Sequence, residues 1–200
     1  MNGLFLKLSK PEEADVSIIA TWLKDESFVQ NLYGMPYQSD SDVTQEAIRM
    51  LNQNAKDTAS SITLIAKTFK NEPIGLIMYQ NLSWKHRNIE MNNAIGNPEQ
   101  RSGFYGADLY LLGLIYAFSE LNLHKVFGYT YEDNETAQKL NQSAAKISGI
   151  LRKQIYRDGQ FKDIVVFSIL KKDFQDFLIT NQHHRLRKFV QSGMFQSMGI

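Results

Sequence analysis

The sequence predicts an α/β protein: a single mixed β-sheet of about seven strands flanked by about four helices, followed by a C-terminal helical tail. Three observations carry this. Short β-branched and aromatic runs recur along the chain, at 61–67, 74–79, 88–95, 125–130, 149–156 and 162–170. Helical periodicity then interrupts them in the second half, at 106–121 and 134–145. Finally, 200 residues with 43% hydrophobic and 22% charged side chains suffice for one domain with its own core. No internal repeat or linker is visible, so the expected organisation is one domain over 1–172 with a basic amphipathic extension over 173–200.

Leu4, Leu6 and Leu8 alternate as a first strand. Ser9-Lys10-Pro11-Glu12-Glu13 opens a helix with an early proline and first-turn acids, and Ile18, Ile19, Trp22 and Leu23 form its apolar face. From Phe28 to Asp42 the sequence predicts a loop containing Tyr33, Gly34, Met35, Pro36 and Tyr37, read either as the border of a binding cleft or as a lid over the core. Ala47, Ile48 and Leu51 mark a second helix over 43–55. Lys70-Asn71-Glu72-Pro73 makes a hairpin turn, and a further turn over 83–87, with Trp84 and His86, leads into the strand at Asn88. Asn122 is expected to end the third helix, and Asp158-Gly159 to close the last hairpin.

Charge and composition exclude several classes. Twenty-two basic against twenty-one acidic side chains leave a net charge of +1, which points to neither nucleic acid nor a membrane surface. Without cysteine there are no disulfides, thiolate metal sites or thiol nucleophiles; no metal is expected, and the expected compartment is the cytoplasm. The tail carries Phe174, Phe177, Leu178, Leu186, Phe189 and Val190 beside His183, His184, Arg185, Arg187 and Lys188. It reads as a docking or solvated helix, and with an exposed sheet edge it makes a homodimer a possible state.

The stretch from Asn88 to Phe118 organises the chain. A strand ending at Ile95 breaks at Asn97-Pro98, crosses a short loop, and becomes a long apolar helix. The first N–H groups of such a helix lack intrahelical partners and favour negative charge, as a pyrophosphate supplies. Arg101 and Ser102 add a cation and a hydroxyl, while Gly103 and Gly106 allow close approach. An ordinary strand-to-helix turn explains the same residues equally well.

Read together, the motifs resemble the GNAT superfamily of acyltransferases, and most closely its branch that acetylates the N-terminal amines of ribosomal proteins. The matching text comprises Glu72-Pro73-Ile74-Gly75, Ile89-Glu90, Ala94-Ile95-Gly96-Asn97-Pro98 and Tyr105-Gly106. It continues with the segment from Tyr116 to Val126, Asn134-Glu135-Thr136-Ala137, Gly149-Ile150-Leu151-Arg152 and Asp163. The resemblance implies a splayed sheet in which acetyl-CoA lies along the strand ending at Ala94 and Ile95, its pyrophosphate on the loop from Arg101 through Phe104 and Tyr105 to Gly106. It implies a catalytic pair of Glu90, as the base, and Asn134, which with Ala137 and Asn141 also meets the coenzyme arm. As a helix cap, Asn134 would need no ligand. Tyr33, Tyr37, Trp84 and His86 are the candidate acceptor contacts.

Three positions depart from the family pattern. Phe104 replaces the first glycine of a Gly-x-Gly, Asn141 stands where many members carry a proton-donating tyrosine, and Ala144-Ala145-Lys146 replaces a Gly-Phe. The implied activity is acetyl transfer from acetyl-CoA to a primary amine, of a small metabolite such as an amino sugar or amino acid derivative or of a peptide N-terminus, by direct attack in a ternary complex. Two other readings stay open: a non-catalytic module binding coenzyme A or a partner, and a transferase using a longer acyl-CoA or an acyl carrier protein.

Overall fold

A computed structural model describes residues 1–31, 40–53, 60–101 and 104–180. Tyr33, Tyr37, Ser102, Gly103 and the basic cluster from His183 to Lys188 lie outside the described residues. Among the described residues are six α-helices and seven strands, β1 (Leu6–Ser9), α1 (Val16–Lys24), α2 (Glu26–Asn31), α3 (Asp40–Gln53), β2 (Ile62–Thr68), β3 (Pro73–Ser83), β4 (Asn88–Ile95), α4 (Phe104–Ile115), β5 (Lys125–Tyr131), α5 (Glu135–Gln142), β6 (Lys146–Arg157), β7 (Gln160–Leu170) and α6 (Lys171–Thr180). The strands form one mixed seven-stranded sheet, as the sequence predicts, in the order β1-β2-β3-β4-β5-β7-β6. No helix among the described residues is long and apolar enough to cross a membrane.

The chain divides into two compact units, Met1–Ser83 with Met91–Tyr116, and Trp84–Glu90 with the chain from Ala117 onward. In the first unit, β1, β2 and β3 pair antiparallel, with Leu64 opposite Ile77 and Ile65 opposite Leu76. Both faces of these strands are covered, which is why β2 and β3 read as nearly continuous apolar runs rather than alternating ones. Ile65, Leu76, Met78 and Ala94 pack against Ile19, Trp22 and Leu23 of α1, Phe28 of α2 and Val43, Ala47 and Met50 of α3. On the other face, Gly113 of α4 lies over Met91, Ile77 and Tyr79, and the Tyr79 hydroxyl donates to the Gly113 carbonyl at 2.6 Å.

Where the sequence predicts a loop from Phe28, α2 already holds that residue. Phe28 is fully buried, its ring 5.8 Å from Trp22. The cause is a side-chain cap: the Asp25 carboxylate accepts from the Ser27 amide at 2.9 Å and the Ser27 hydroxyl at 2.7 Å, which starts a helix directly after Asp25, the one residue that separates it from α1.

In the second unit, the first three residues of β4 pair parallel with β5, Asn88 with Lys125, Ile89 with Val126 and Glu90 with Phe127. β5 then pairs antiparallel with β7 from Lys125–Leu170 to Tyr131–Ile164, and β7 with β6. The hairpin between β6 and β7 turns at Asp158 (φ 52°) and Gly159 (φ 76°), both left-handed, as a two-residue turn of this hand requires. β6 starts at Lys146, three residues earlier than expected, because α5 stops at Gln142 and the Asn141 carbonyl takes both the Ala144 and Ala145 amides. A five-residue π turn, Tyr116–Glu120, follows α4, and Asn122, at φ 49°, ends the segment as predicted. Phe174 and Leu178 of α6 are buried, with Phe174 5.4 Å from Phe118. The first turns after residue 172 are therefore seated in this unit's core.

Candidate active site

In the first unit the site residues gather where β4 ends. Ala94 and Ile95 are buried there, and the Gly96 amide donates to the Ile74 carbonyl of β3 at 2.8 Å. Successive N–H groups of a strand point to opposite edges, so the Ile95 amide points away from β3. Two glycines set this end. A Cβ on Gly75 would stand 2.3 Å from the Ala94 carbonyl oxygen, and one on Gly96 2.0 Å from the Trp22 ring. Both segments match the family text, and close packing is the reason those two positions carry glycine.

Arg101 stands in the predicted loop with its guanidinium already engaged. Its Nε donates to the Ile95 carbonyl at 3.1 Å and one terminal nitrogen to the Gly96 carbonyl at 3.2 Å; the terminal nitrogens also bond Ser27 and pair with Asp25. Arg101 therefore ties the end of β4 to the start of α2, and its charge is neutralised by Asp25. Phe104 opens α4 with its ring turned onto Phe5, stacked at 5.6 Å, and Tyr105 meets the same Phe5 edge-on at 6.5 Å. Gly106 has nothing within 4 Å of the place a Cβ would take.

Asp25 gives this end a pH signature. Burial alone would raise its carboxyl, but hydrogen bonds from Ser27 and Arg101 and the guanidinium charge together hold it below the ordinary value of 3.8. The unfolded chain therefore binds the extra proton first, and Asp25 contributes stability above pH 3.8 that is lost as the pH falls through the folded value. Urea unfolding at pH 7 and at successively lower pH is expected to show Asp25→Asn less stable at neutrality, with the gap to the native protein closing only below about pH 4. A gap independent of pH would contradict the pairing.

In the second unit, Glu90 is 5% exposed, a carboxylate inside a sheet strand. In a parallel pair, residues in register share a face, so Glu90 lies on the face of Phe127 and, two residues on, of Tyr129. The rings of Phe127 and Tyr129 meet edge to face at 6.1 Å. Burial and then the Glu90 charge push the Tyr129 phenol up, so it stays a hydrogen-bond donor at neutral pH. Sequence reasoning missed Tyr129, although its alternation with Phe127 ahead of Asn134 was visible.

Asn134 caps α5, its side-chain oxygen accepting from the Ala137 amide at 3.1 Å. An amide oxygen has two lone pairs, so the cap by itself does not exclude a ligand at Asn134. Asn141 donates to the Thr130 hydroxyl at 2.8 Å, and Thr130 points to the face of β5 opposite Phe127 and Tyr129. The structure thus brings Glu90 together with Phe127 and Tyr129, and Asn134 with Ala137, but places Asn141 on the other side of β5. Trp84 and His86 are exposed in the turn before β4, which Arg87 anchors to the Asn122 carbonyl at 3.1 Å. Among the described residues, no group of three or more His, Asp or Glu could hold a metal ion.

The chain is similar to known proteins in sequence and in fold. Residues 6–144 match the acetyltransferase (GNAT) domain. The chain is 24% identical over 170 residues to a spermidine N(1)-acetyltransferase of Vibrio cholerae, covering 84% of this chain and 95% of that protein. It is 27% identical over 174 residues to the uncharacterised N-acetyltransferase YoaA of Bacillus subtilis, covering 85% of this chain and 94% of that protein. A crystal structure of the Vibrio cholerae spermidine N-acetyltransferase, in complex with CoA and spermine, superposes with a TM-score of 0.75 at 21% identity, covering 85% of this chain and 98% of that one. The relatives carry the names of small-molecule and uncharacterised acetyltransferases rather than of enzymes for ribosomal proteins. With the match spanning most of its length, the chain belongs to the GNAT acetyltransferase family.

Proposed function

We propose that the protein transfers an acetyl group from acetyl-CoA to a primary amine of a small molecule, by direct attack within a ternary complex. Family membership supports the reaction class, and the spermidine acetyltransferases among its relatives favour a small polyamine over a peptide N-terminus or an amino sugar. The single observation that carries the reading is Glu90, a carboxylate buried in β4 on the face that also presents Tyr129.

An ammonium ion has no lone pair, so the acceptor must lose a proton before it attacks. Glu90 takes that proton, directly or through water, while the Tyr129 hydroxyl orients the amine by hydrogen bonding. The amine nitrogen adds to the thioester carbonyl and the C–N bond forms; the C–S bond then breaks as the nitrogen gives its second proton to water, leaving an acetamide and the thiolate of coenzyme A. A backbone amide at the end of β4, such as that of Ile95, would donate to the carbonyl oxygen as charge develops on it. Asn141 is no acid and is occupied with Thr130, so the thiolate leaves unprotonated or takes its proton from water. That is the stronger of two acids leaving: a thiol ionises far more readily than an amine.

The coenzyme's pyrophosphate is assigned to the amides opening α4, from Phe104 to Gly106, with the neighbouring Ser102 and Gly103. Arg101 shapes that loop through its carbonyl contacts and contributes little net charge, since Asp25 balances it. Asn134, capping α5, would meet the pantetheine arm or an ordered water beside it.

Coenzyme A release measured with spermidine, spermine, glucosamine and a short peptide tests this directly. Release dependent on a polyamine is expected, at least tenfold faster than with the peptide. Saturable coenzyme binding without release for any amine would instead indicate a non-catalytic binding module, and release only with a longer acyl-CoA would shift the donor.

A further inference from the structure

The first eight residues form a small hairpin that the activity does not explain. Leu8 donates its amide to the Met1 carbonyl at 2.8 Å, Gly3 donates to the Leu6 carbonyl at 2.6 Å, and Asn2 bridges to Lys7. The turn wraps around one side chain from far along the chain. Asp108, in the second turn of α4 and only 3% exposed, accepts from three consecutive amides: Leu4 at 3.0 Å, Phe5 at 2.8 Å and Leu6 at 2.9 Å. Gly3 makes room for it, since a Cβ there would stand 2.7 and 2.8 Å from the two carboxylate oxygens. The same turn extends Phe5 over the start of α4, against Phe104 and Tyr105.

We propose that Asp108 and Phe5 are positioning residues for the coenzyme, the N-terminal hairpin acting as a clamp on the first turn of α4. This rests on the assignment of that turn to the pyrophosphate. Two physical effects follow from the geometry. First, side chains on a helix lean toward its N-terminus, so a bare carboxylate at 108 would repel an anion bound at the turn before it. Three N–H donors turned toward it absorb that charge and leave the helix start to the ligand. Second, the opening turn of a helix frays unless something holds it. The Phe5 ring, pinned by the same three hydrogen bonds, fixes the two aromatic residues that carry the cradle's amides. An ordered cradle binds without first paying the entropy of ordering itself.

Isothermal titration of coenzyme A into the full chain, paired with urea unfolding, tests the clamp. Phe5→Ala keeps the Asp108 hydrogen bonds and removes only the ring. It is expected to weaken coenzyme binding about tenfold and to raise KM for acetyl-CoA by the same factor, with KM for the amine and kcat at saturation unchanged; Phe5→Tyr should restore both. Leu178→Ala, a core truncation in α6, supplies a destabilised control that should bind normally. Unchanged affinity in Phe5→Ala, or an equal loss in Leu178→Ala, overturns the clamp. Failure of the unaltered protein to bind coenzyme A overturns the acetyl-transfer reading, and the clamp with it; normal binding there with an unaffected Phe5→Ala overturns the clamp alone.

Discussion

Glu90→Gln is expected to lower kcat for amine acetylation by about 100-fold or more while leaving the fold and coenzyme binding intact, the range typical of losing a general base. The substitution keeps the size of the side chain and removes only its ability to take a proton. Glu90 is buried at 5% exposure in β4, so its replacement by a neutral isostere causes no charge burial and opens no cavity. Steady-state kinetics with acetyl-CoA and spermidine, alongside circular dichroism and coenzyme titration, separates chemistry from folding. Equal rates for Glu90→Gln and the native protein would remove Glu90 from the mechanism and leave water to accept the proton.

Gly75→Ala carries the largest expected effect on stability. Its Cβ would lie 2.3 Å from the Ala94 carbonyl oxygen and 3.0 Å from the Ile95 Cα, so the clash is backbone against side-chain root, and neither can swing aside. β3 and β4 would have to separate at their paired end. Overpacking of this kind costs about 3 kcal/mol, which for a chain of this length is roughly 6–12 °C in Tm. Because the Ile95 amide moves with β4, KM for acetyl-CoA should rise as well. Gly106 is the contrasting case: with nothing within 4 Å of its Cβ position, bulk there harms no packing and acts only on a bound ligand. Calorimetry showing Gly75→Ala as stable as the native protein would mean that the two strands approach less closely than 2.3 Å implies.

Much of this was legible in the sequence, for reasons that differ by element. The central strands showed because β-branched and aromatic runs bounded by turn residues are local signals, and Asp158-Gly159 and Asn122 announced left-handed backbone in their own residue types. The strand over 88–95 that holds Glu90 and Ile95 was read with the bounds it has, and the helix after it was expected from 106, two residues later than α4 begins. What stayed hidden depended on partners distant in sequence. Nothing near Arg101 reveals that Asp25, 76 residues earlier, neutralises it. Nothing near Asp108 reveals the amides of Leu4, Phe5 and Leu6, more than 100 residues away, that hold it. Nothing near Phe104, which departs from the family glycine, reveals that its ring stacks on Phe5. α2 was mistaken for a loop for a humbler reason: the Asp25-x-Ser27 cap was there to be read and was outweighed by the glycine, proline and tyrosines that follow.

The most direct test of the account is mass spectrometry of spermidine incubated with the protein and acetyl-CoA, run in parallel with Glu90→Gln. The account predicts spermidine heavier by one acetyl group, formed in step with free coenzyme A and almost absent with the variant. Unmodified spermidine in the presence of protein that demonstrably holds the coenzyme would contradict it.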